Sequence, residues 1–268
     1  MNLHTALIVP ILLIGPCAQA QEADVTFFVI GKHGNFMQAP DGQREPVDYS
    51  FFSEIFLTAD GEAADATLTF PTDEIMPFRD MRTAAGGERD NILLIAGEDR
   101  FTDYAALQAR YPDGEYRVTF STPSGSVQDG VLKFEKRNLP TPPQVSLRQG
   151  SDGKVQVLRP GVDAVVSWSP FTEGRSDPHG ILDDLVFVIL TNEEGVRVAH
   201  SGRPFEGRPY LTYADNVFTI DGQVLEGNHT YELSVEHAIL DDTTRFDGVP
   251  AFTTRAVTTK LMVTTAAE

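Results

Sequence analysis

The sequence predicts an all-β protein of two β-sandwich-type domains in tandem, the first with one short helix, joined by a proline-rich linker. Three observations carry this. Short runs of alternating polar and apolar residues recur along the chain, separated by Gly, Pro, Asp and Asn clusters. A single segment, "TDYAALQARY", reads as helical instead. And "RNLPTPPQ" (Arg137 to Gln144) holds Pro140, Pro142 and Pro143, which break strands and helices and favour a stiff, extended connector. The expected boundaries are a leader at 1–20, a first domain at 21–137, the linker at 138–143 and a second domain at 144–268.

The first domain offers strand-like runs at "DVTFFVI", "YSFFSEIFLT", "ATLTF", "NILLIA", "EYRVTF" and "GVLKFE". In the helical segment Thr102 is the expected N-cap, with an Ala-rich body behind it. Pro112 and Gly114 end the helix, so "YPDGEYRVTF" is a helix-to-strand corner. Asp113 is read there as a turn residue. Tyr116, Val118 and Phe120 point inward, and Glu115, Arg117 and Thr119 outward.

The second domain is almost purely strand-like: "VSLR", "KVQVLR", "AVVSWS", "LVFVILT", "VRVAH", "VFTI", "TYELSVEHAI" and "TTRAVTTKLMVTT". Eight short strands with turn signals between them suggest a β-sandwich. Trp168 shares a strand side with Val166 and Ala164, which makes it a core residue rather than a sugar platform. "LVFVILTNEEGVRV" reads as a hairpin, and "LEGNHTYELSVE" sets Leu225 six residues before Tyr231. In this order, these features resemble the fibronectin type III fold over about residues 144 to 264. Glu226-Gly227 stands where that family usually has Pro-Gly, and "LVFVILT" lacks the family's third-strand Tyr. A generic immunoglobulin-like sandwich fits the same pattern. The resemblance implies that Trp168, Leu225 and Tyr231 are structural core, with the Tyr231 hydroxyl bonded to nearby backbone as in a tyrosine corner. The first half is loosely similar to modules that precede such domains in secreted bacterial proteins, which implies no activity.

The N-terminal run "ALIVPILLIGPCAQA" has the pattern of a secretory signal peptide cleaved after Ala20. It is too short, and too broken by Pro10 and Pro16, to span a bilayer comfortably. Lipidation at Cys17 is the alternative, though Pro16 makes a poor lipobox. Cys17 is the sole cysteine, so cleavage leaves a chain without disulfides, thiolate metal sites or a cysteine nucleophile. A secreted or periplasmic location is expected, with no membrane insertion after cleavage. The net charge of −18 opposes binding to nucleic acid and to anionic membrane surfaces.

Motifs for chemistry are missing. His33, His179, His200, His229 and His237 form none of the common zinc spacings. There is no G-x-S-x-G elbow, P-loop, dinucleotide fingerprint or D-x-D-x-D-G calcium loop. Asp73-Glu74, Asp183-Asp184 and Asp241-Asp242 are adjacent, but adjacent strand residues point to opposite faces. No catalytic residue is assigned, no enzyme activity is expected, and no cofactor beyond weakly held Ca²⁺.

The remaining candidates are loops. In a fibronectin type III-like order, Phe171 to Asp184, Ser201 to Asn216 and Leu240 to Pro250 emerge at one end of the sandwich, and binding residues concentrate on such loops. They carry Arg175, Arg203, Arg208 and Arg245, the carboxylates Asp177, Asp183, Asp184, Asp241, Asp242 and Asp247, and the aromatics Phe205 and Tyr210. This end is the expected interaction surface, its acidic cluster the expected place for weak Ca²⁺. Three function classes stay open. The first is a binding or scaffold protein with a protein or carbohydrate partner. The second is a carbohydrate-binding or Ca²⁺-dependent adhesive module, favoured by an exposed aromatic row on a concave sheet. The third is a cryptic hydrolase, favoured by a cleft with two facing carboxylates or a Ser–His pair.

Overall fold

The structure, a computed structural model, describes residues 24–82, 92–96, 100–150 and 157–267. The leader and Cys17 lie outside the described residues. In the first half the strands are β1 (Val25–Gln38), β2 (Arg44–Leu57), β3 (Ala64–Thr69), β4 (Ile75–Pro77), β5 (Arg79–Asp80), β6 (Ile92–Ala96), β7 (Gly114–Thr122) and β8 (Gly125–Phe134). Helix α1 (Tyr104–Arg110) precedes β7. The second half has β9 (Val145–Gln149), β10 (Val157–Leu158), β11 (Ala164–Trp168), β12 (Leu185–Asn192), β13 (Arg197–His200), β14 (Leu211–Thr212), β15 (Val217–Ile220), β16 (Thr230–Phe246) and β17 (Val249–Thr265). The fold is all-β and of sandwich type, with one short α-helix among the described residues.

One large sheet runs through both halves in the order β13-β12-β16-β17-β1-β2-β6-β5, with β10 added to β17 and β14 to β12. Its seam is the parallel pairing of β1 with β17, from Phe28↔Ala251 to Met37↔Lys260. Two smaller sheets, β4-β3-β7-β8 and β15-β11-β9, give each half its second layer. Strand alternation explains the layering. On β1, Phe28 and Ile30 enter the first core, while Phe27 and Val29 face the opposite side. On β12, Val186, Val188 and Leu190 enter the second core, while Leu185, Phe187 and Ile189 face away. "DVTFFVI" therefore lacks alternation because both of its faces are covered.

The first core is aromatic. Phe51 stacks on Tyr111 at 4.2 Å between ring centroids, and Phe70, Tyr116 and Phe134 pack around them. Tyr116, Val118 and Phe120 of the "YPDGEYRVTF" corner are fully buried, and the Tyr116 hydroxyl donates to the Pro112 carbonyl at 2.8 Å. Asp103, not Thr102, caps α1: its Oδ1 accepts from the Ala106 N–H at 2.8 Å. Either side chain has the chemistry of a cap, and the helix starts one residue later than the sequence suggests.

The second core closes between β15-β11-β9 and β13-β12-β16-β17. Trp168 is buried, with its indole N–H donating to the Asp215 carbonyl at 3.1 Å. Leu225 and Tyr231 are buried beside it, and the Tyr231 hydroxyl accepts from the Glu226 N–H at 2.9 Å.

Leu240 to Pro250 is not a loop. It forms the ends of β16 and β17, which pair up to Phe246↔Val249 around a tight turn at Asp247-Gly248. This long hairpin carries Phe246, Val249 and Ala251 into the first core. The expectation of a third long connection fails because both strand edges find partners, β16 on β17 and β17 on β1. The "RNLPTPPQ" stretch is pinned to both halves. The Pro142 carbonyl accepts from Arg44, Thr141 binds Glu173, and the Gln38 side chain exchanges two hydrogen bonds with Val145 backbone at 2.7 and 2.8 Å.

Candidate functional site

Some of the loop residues singled out by the sequence meet, and their polar groups are spent on holding the loops, while Arg175, Arg208, Arg245 and Asp247 stay exposed. Asp177 accepts from the backbone of His179, Ile181 and Leu182 and from the Thr243 hydroxyl, at 2.7 to 3.1 Å. Burial raises its pKa, yet these hydrogen bonds outweigh burial and hold it below the ordinary value. Asp183 accepts from the Asp177 N–H at 2.8 Å. Asp184 is buried and ties Arg175 N–H at 3.0 Å to Leu240 N–H at 2.7 Å. Phe205 packs on Phe27 at 5.6 Å, and Tyr210 joins the same cluster with Leu182, Leu240 and Phe252. The two loops and the hairpin therefore converge against the outer face of the large sheet.

These carboxylates act as loop-shaping acceptors, with their oxygens already engaged. Asp241 is fully buried between Arg255 (2.7 Å) and Arg137 (3.1 Å), which removes it from any surface. Asp242 accepts from the Lys133 N–H at 3.0 Å, Arg245 donates to the Gly248 carbonyl at 3.1 Å, and Asp247 forms the hairpin turn with φ +48°. Among the described residues no group of three or more His, Cys, Asp or Glu is placed to hold a metal ion. Arg203 lies across the rings of Phe56 and Phe187 and pairs with Glu206 at 3.5 Å; Arg208 is exposed.

Asp113 has a larger role than turning the chain. It binds Lys32 at 2.6 Å and Arg255 at 2.8 Å, both with fully buried side chains. Gln108 donates to it at 3.3 Å, and Arg255 also donates to Tyr104 at 2.5 Å. Burial lowers the Lys32 pKa to about 8, against the opposing pull of Asp113. This cluster joins α1, β1, β16 and β17 across the seam. Nothing near these residues in the sequence marks it, because Lys32 and Arg255 are far apart along the chain.

A concave opening of about 330 Å³ lies on the outer face of the large sheet, beside the converged loops. Its lining includes residues with little side-chain bulk, Thr254 and Ala238, together with Val29. Phe52, which lines it, lies over Gly31 of β1, where a Cβ would come within 2.1 Å of the ring. One wall is Phe52 and Phe56; the other is Phe187, Arg203 and Tyr210. The Phe27 ring stacks on Phe56 at 4.2 Å and on Phe252 at 5.7 Å, fixing the end of the cleft. The polar lining is tied down. His33 Nε2 is 2.8 Å from the Thr258 hydroxyl, which donates to Glu236 at 3.1 Å. Glu54, Arg197 and Arg203 also have partners within the protein.

Two carboxylates line this cleft, but they do not face each other. Glu54 is level with Val29, and Glu236 is level with Thr258 and hence Asn35. Six residues of strand separate them, about 20 Å, far beyond the spacing of a hydrolytic carboxylate pair. The loop reading touched this cleft only at Arg203 and Tyr210, since most of its lining comes from seven strands that the sequence does not place side by side. The signal available was the second apolar face of "YSFFSEIFLT" and "LVFVILT": Phe52 and Phe56 on β2, and Leu185, Phe187 and Ile189 on β12.

No protein-family model matches the chain, and no curated protein matches it. Among solved structures, it is similar to one titled "Biofilm associated protein - BSP domain", at 11% identity and a TM-score of 0.22. The match covers 88% of this chain and 29% of that one, so the chain spans under a third of that chain's length. A likeness at that level has no weight for function.

Proposed function

We propose that this is an exported, non-enzymatic binding protein whose ligand site is the cleft on the outer face of the shared sheet. The observation that carries this is the cleft itself: concave, walled by aromatic rings, and lined by polar groups already bonded within the protein. Such a lining favours holding a ligand over transforming it. A sugar would need free donors and acceptors as well as rings, so the carbohydrate reading has less support. The second half is read as fibronectin type III-like. The strand orders β15-β11-β9 and β13-β12-β16-β17 and the Tyr231–Glu226 contact support that reading. In this role the sandwich is a rigid frame for the cleft.

Native mass spectrometry after incubation with a small-molecule extract of the growth medium tests the site. The protein should retain a non-covalent adduct that the cleft-filling variant Ala238→Phe loses. Equal retention by the variant, or release of a chemically altered molecule, overturns the reading. Export rests on residues 1–20 and is checked separately: the exported chain should begin at Gln21, and an intact Met1 or a lipid on Cys17 would contradict it.

A further inference from the structure

We infer that the cleft takes a neutral, ring-bearing apolar small molecule; this rests on the cleft being the binding site and names what it selects. The argument starts from charge. An ionic ligand group is stabilised in an apolar cleft only if a counter-charge waits for it. Here the charged lining is already engaged within the protein. Glu236 is held by Thr258 and lies 3.4 Å from His33, Arg203 pairs with Glu206, and Glu54 and Arg197 have partners of their own. A charged ligand would have to break one of these contacts or enter unpaired.

Shape narrows the class further. A volume of about 330 Å³ is at the small end for ligand sites, room for a fused ring system rather than a polymer. The walls present ring faces and edges, Phe52 and Phe56 on one side and Phe187 and Tyr210 on the other. Aromatic partners gain from offset or edge-on packing beyond simple burial. The segment from Ser201 to Tyr210 lines one side through Gly202, Arg203, Pro204 and Tyr210. Phe205 reaches Phe27 from a backbone with φ +66°, and Gly202, at φ +89°, has no room for a Cβ against the Pro209 carbonyl. A bulky residue in that conformation is held by its surroundings. That side of the cleft is therefore fixed in shape before any ligand arrives.

Two dyes with one ring framework test this: neutral N-phenyl-1-naphthylamine and its anionic sulfonate, 1-anilinonaphthalene-8-sulfonate. The neutral dye should bind saturably at one site, at least tenfold more tightly than the sulfonate. Ala238→Phe at the base and Ile189→Trp at the mouth should each weaken it tenfold or more. If the sulfonate binds as tightly and the variants weaken both dyes, the cleft is a ligand site but the neutral class is wrong. If neither dye binds saturably, or folded variants leave binding unchanged, the cleft is no ligand site and both readings fall. Should a variant not fold, NMR shift changes on the unaltered protein decide. Neutral-dye shifts confined to Leu185–Ile189 and Glu236–Ala238 support the proposal, and shifts elsewhere overturn it.

Discussion

Single side chains show how buried polarity is managed here. Trp168 and Tyr231 each bury an aromatic body and place the polar atom on a backbone partner. Trp168→Ala should cost about 3–5 kcal/mol through the cavity left behind. Tyr231→Phe removes only the acceptor for the Glu226 N–H and should cost about 1 kcal/mol. Urea titrations of both variants give the comparison, and equal losses would contradict the assignment. His237 is the opposite case. It is buried against Phe171 at 4.2 Å, and neither ring nitrogen makes a hydrogen bond of good geometry. Burial lowers its pKa to about 4, although Glu173, the Thr141 backbone and Glu236 pull the other way. The unfolded chain therefore takes up this proton first, near pH 6.5. No penalty exists above that pH; it grows as pH falls toward 4, reaching on the order of 3 kcal/mol. His237→Phe should flatten that part of the stability–pH curve. A variant as acid-sensitive as the parent would show that other groups set the slope.

At the scale of elements, the β16–β17 hairpin does what the sequence assigned to a loop. Its outer part runs from Leu240 to Thr254, and its side chains serve two environments. Phe246, Val249 and Ala251 complete the first core, while Leu240 and Phe252 pack beneath the converged loops. Shortening Asp241 to Asp247 would leave holes in the first core and strip Arg255 of the Asp241 carboxylate. Such a variant should lose its cooperative melting transition rather than a ligand alone, which circular dichroism reads directly. If it melts like the parent, the hairpin tip is dispensable and the core assignment is wrong. β1 shows the same effect. Gly31 and Gly34 suggest that the strand ends near Ile30, yet it continues to Gln38 because β2 and β17 flank it on both edges. Glycine weakens a strand, but two ladders of hydrogen bonds outweigh that cost.

At the scale of the whole molecule, the seam makes the halves interdependent. Ten residues of β1 pair with β17, and the Lys32–Asp113–Arg255–Asp241 cluster is buried at that junction. Calorimetry should therefore give one unfolding transition for both halves; two resolved transitions would show that the seam does not couple them. Asp113→Asn should lower that single transition strongly, by about 3–5 kcal/mol, because it takes the paired carboxylate from buried Lys32 and leaves Arg255 with Asp241 alone. Lys32→Met together with Asp113→Asn should be milder than Asp113→Asn alone. If the double variant is the worse of the two, the penalty does not come from unpaired charge.

What the sequence determined by itself was local. Period-two alternation and turn residues located most strands, the Ala-rich segment located α1, and strand side placed Trp168 with Val166 and Ala164. These signals need only neighbours in the chain, because a strand's two faces are distinguished within a few residues. The tertiary structure decided everything that depends on distant pairing. Phe28 meets Ala251, Lys32 meets Asp113 and Arg255, and the carboxylates of the loops are used up on backbone donors. The cleft belongs to this second class, since its walls come from strands at both ends of the chain. Alternation says that a side chain faces outward; only the order of strands in the sheet decides whether that face meets solvent, a loop or a ligand.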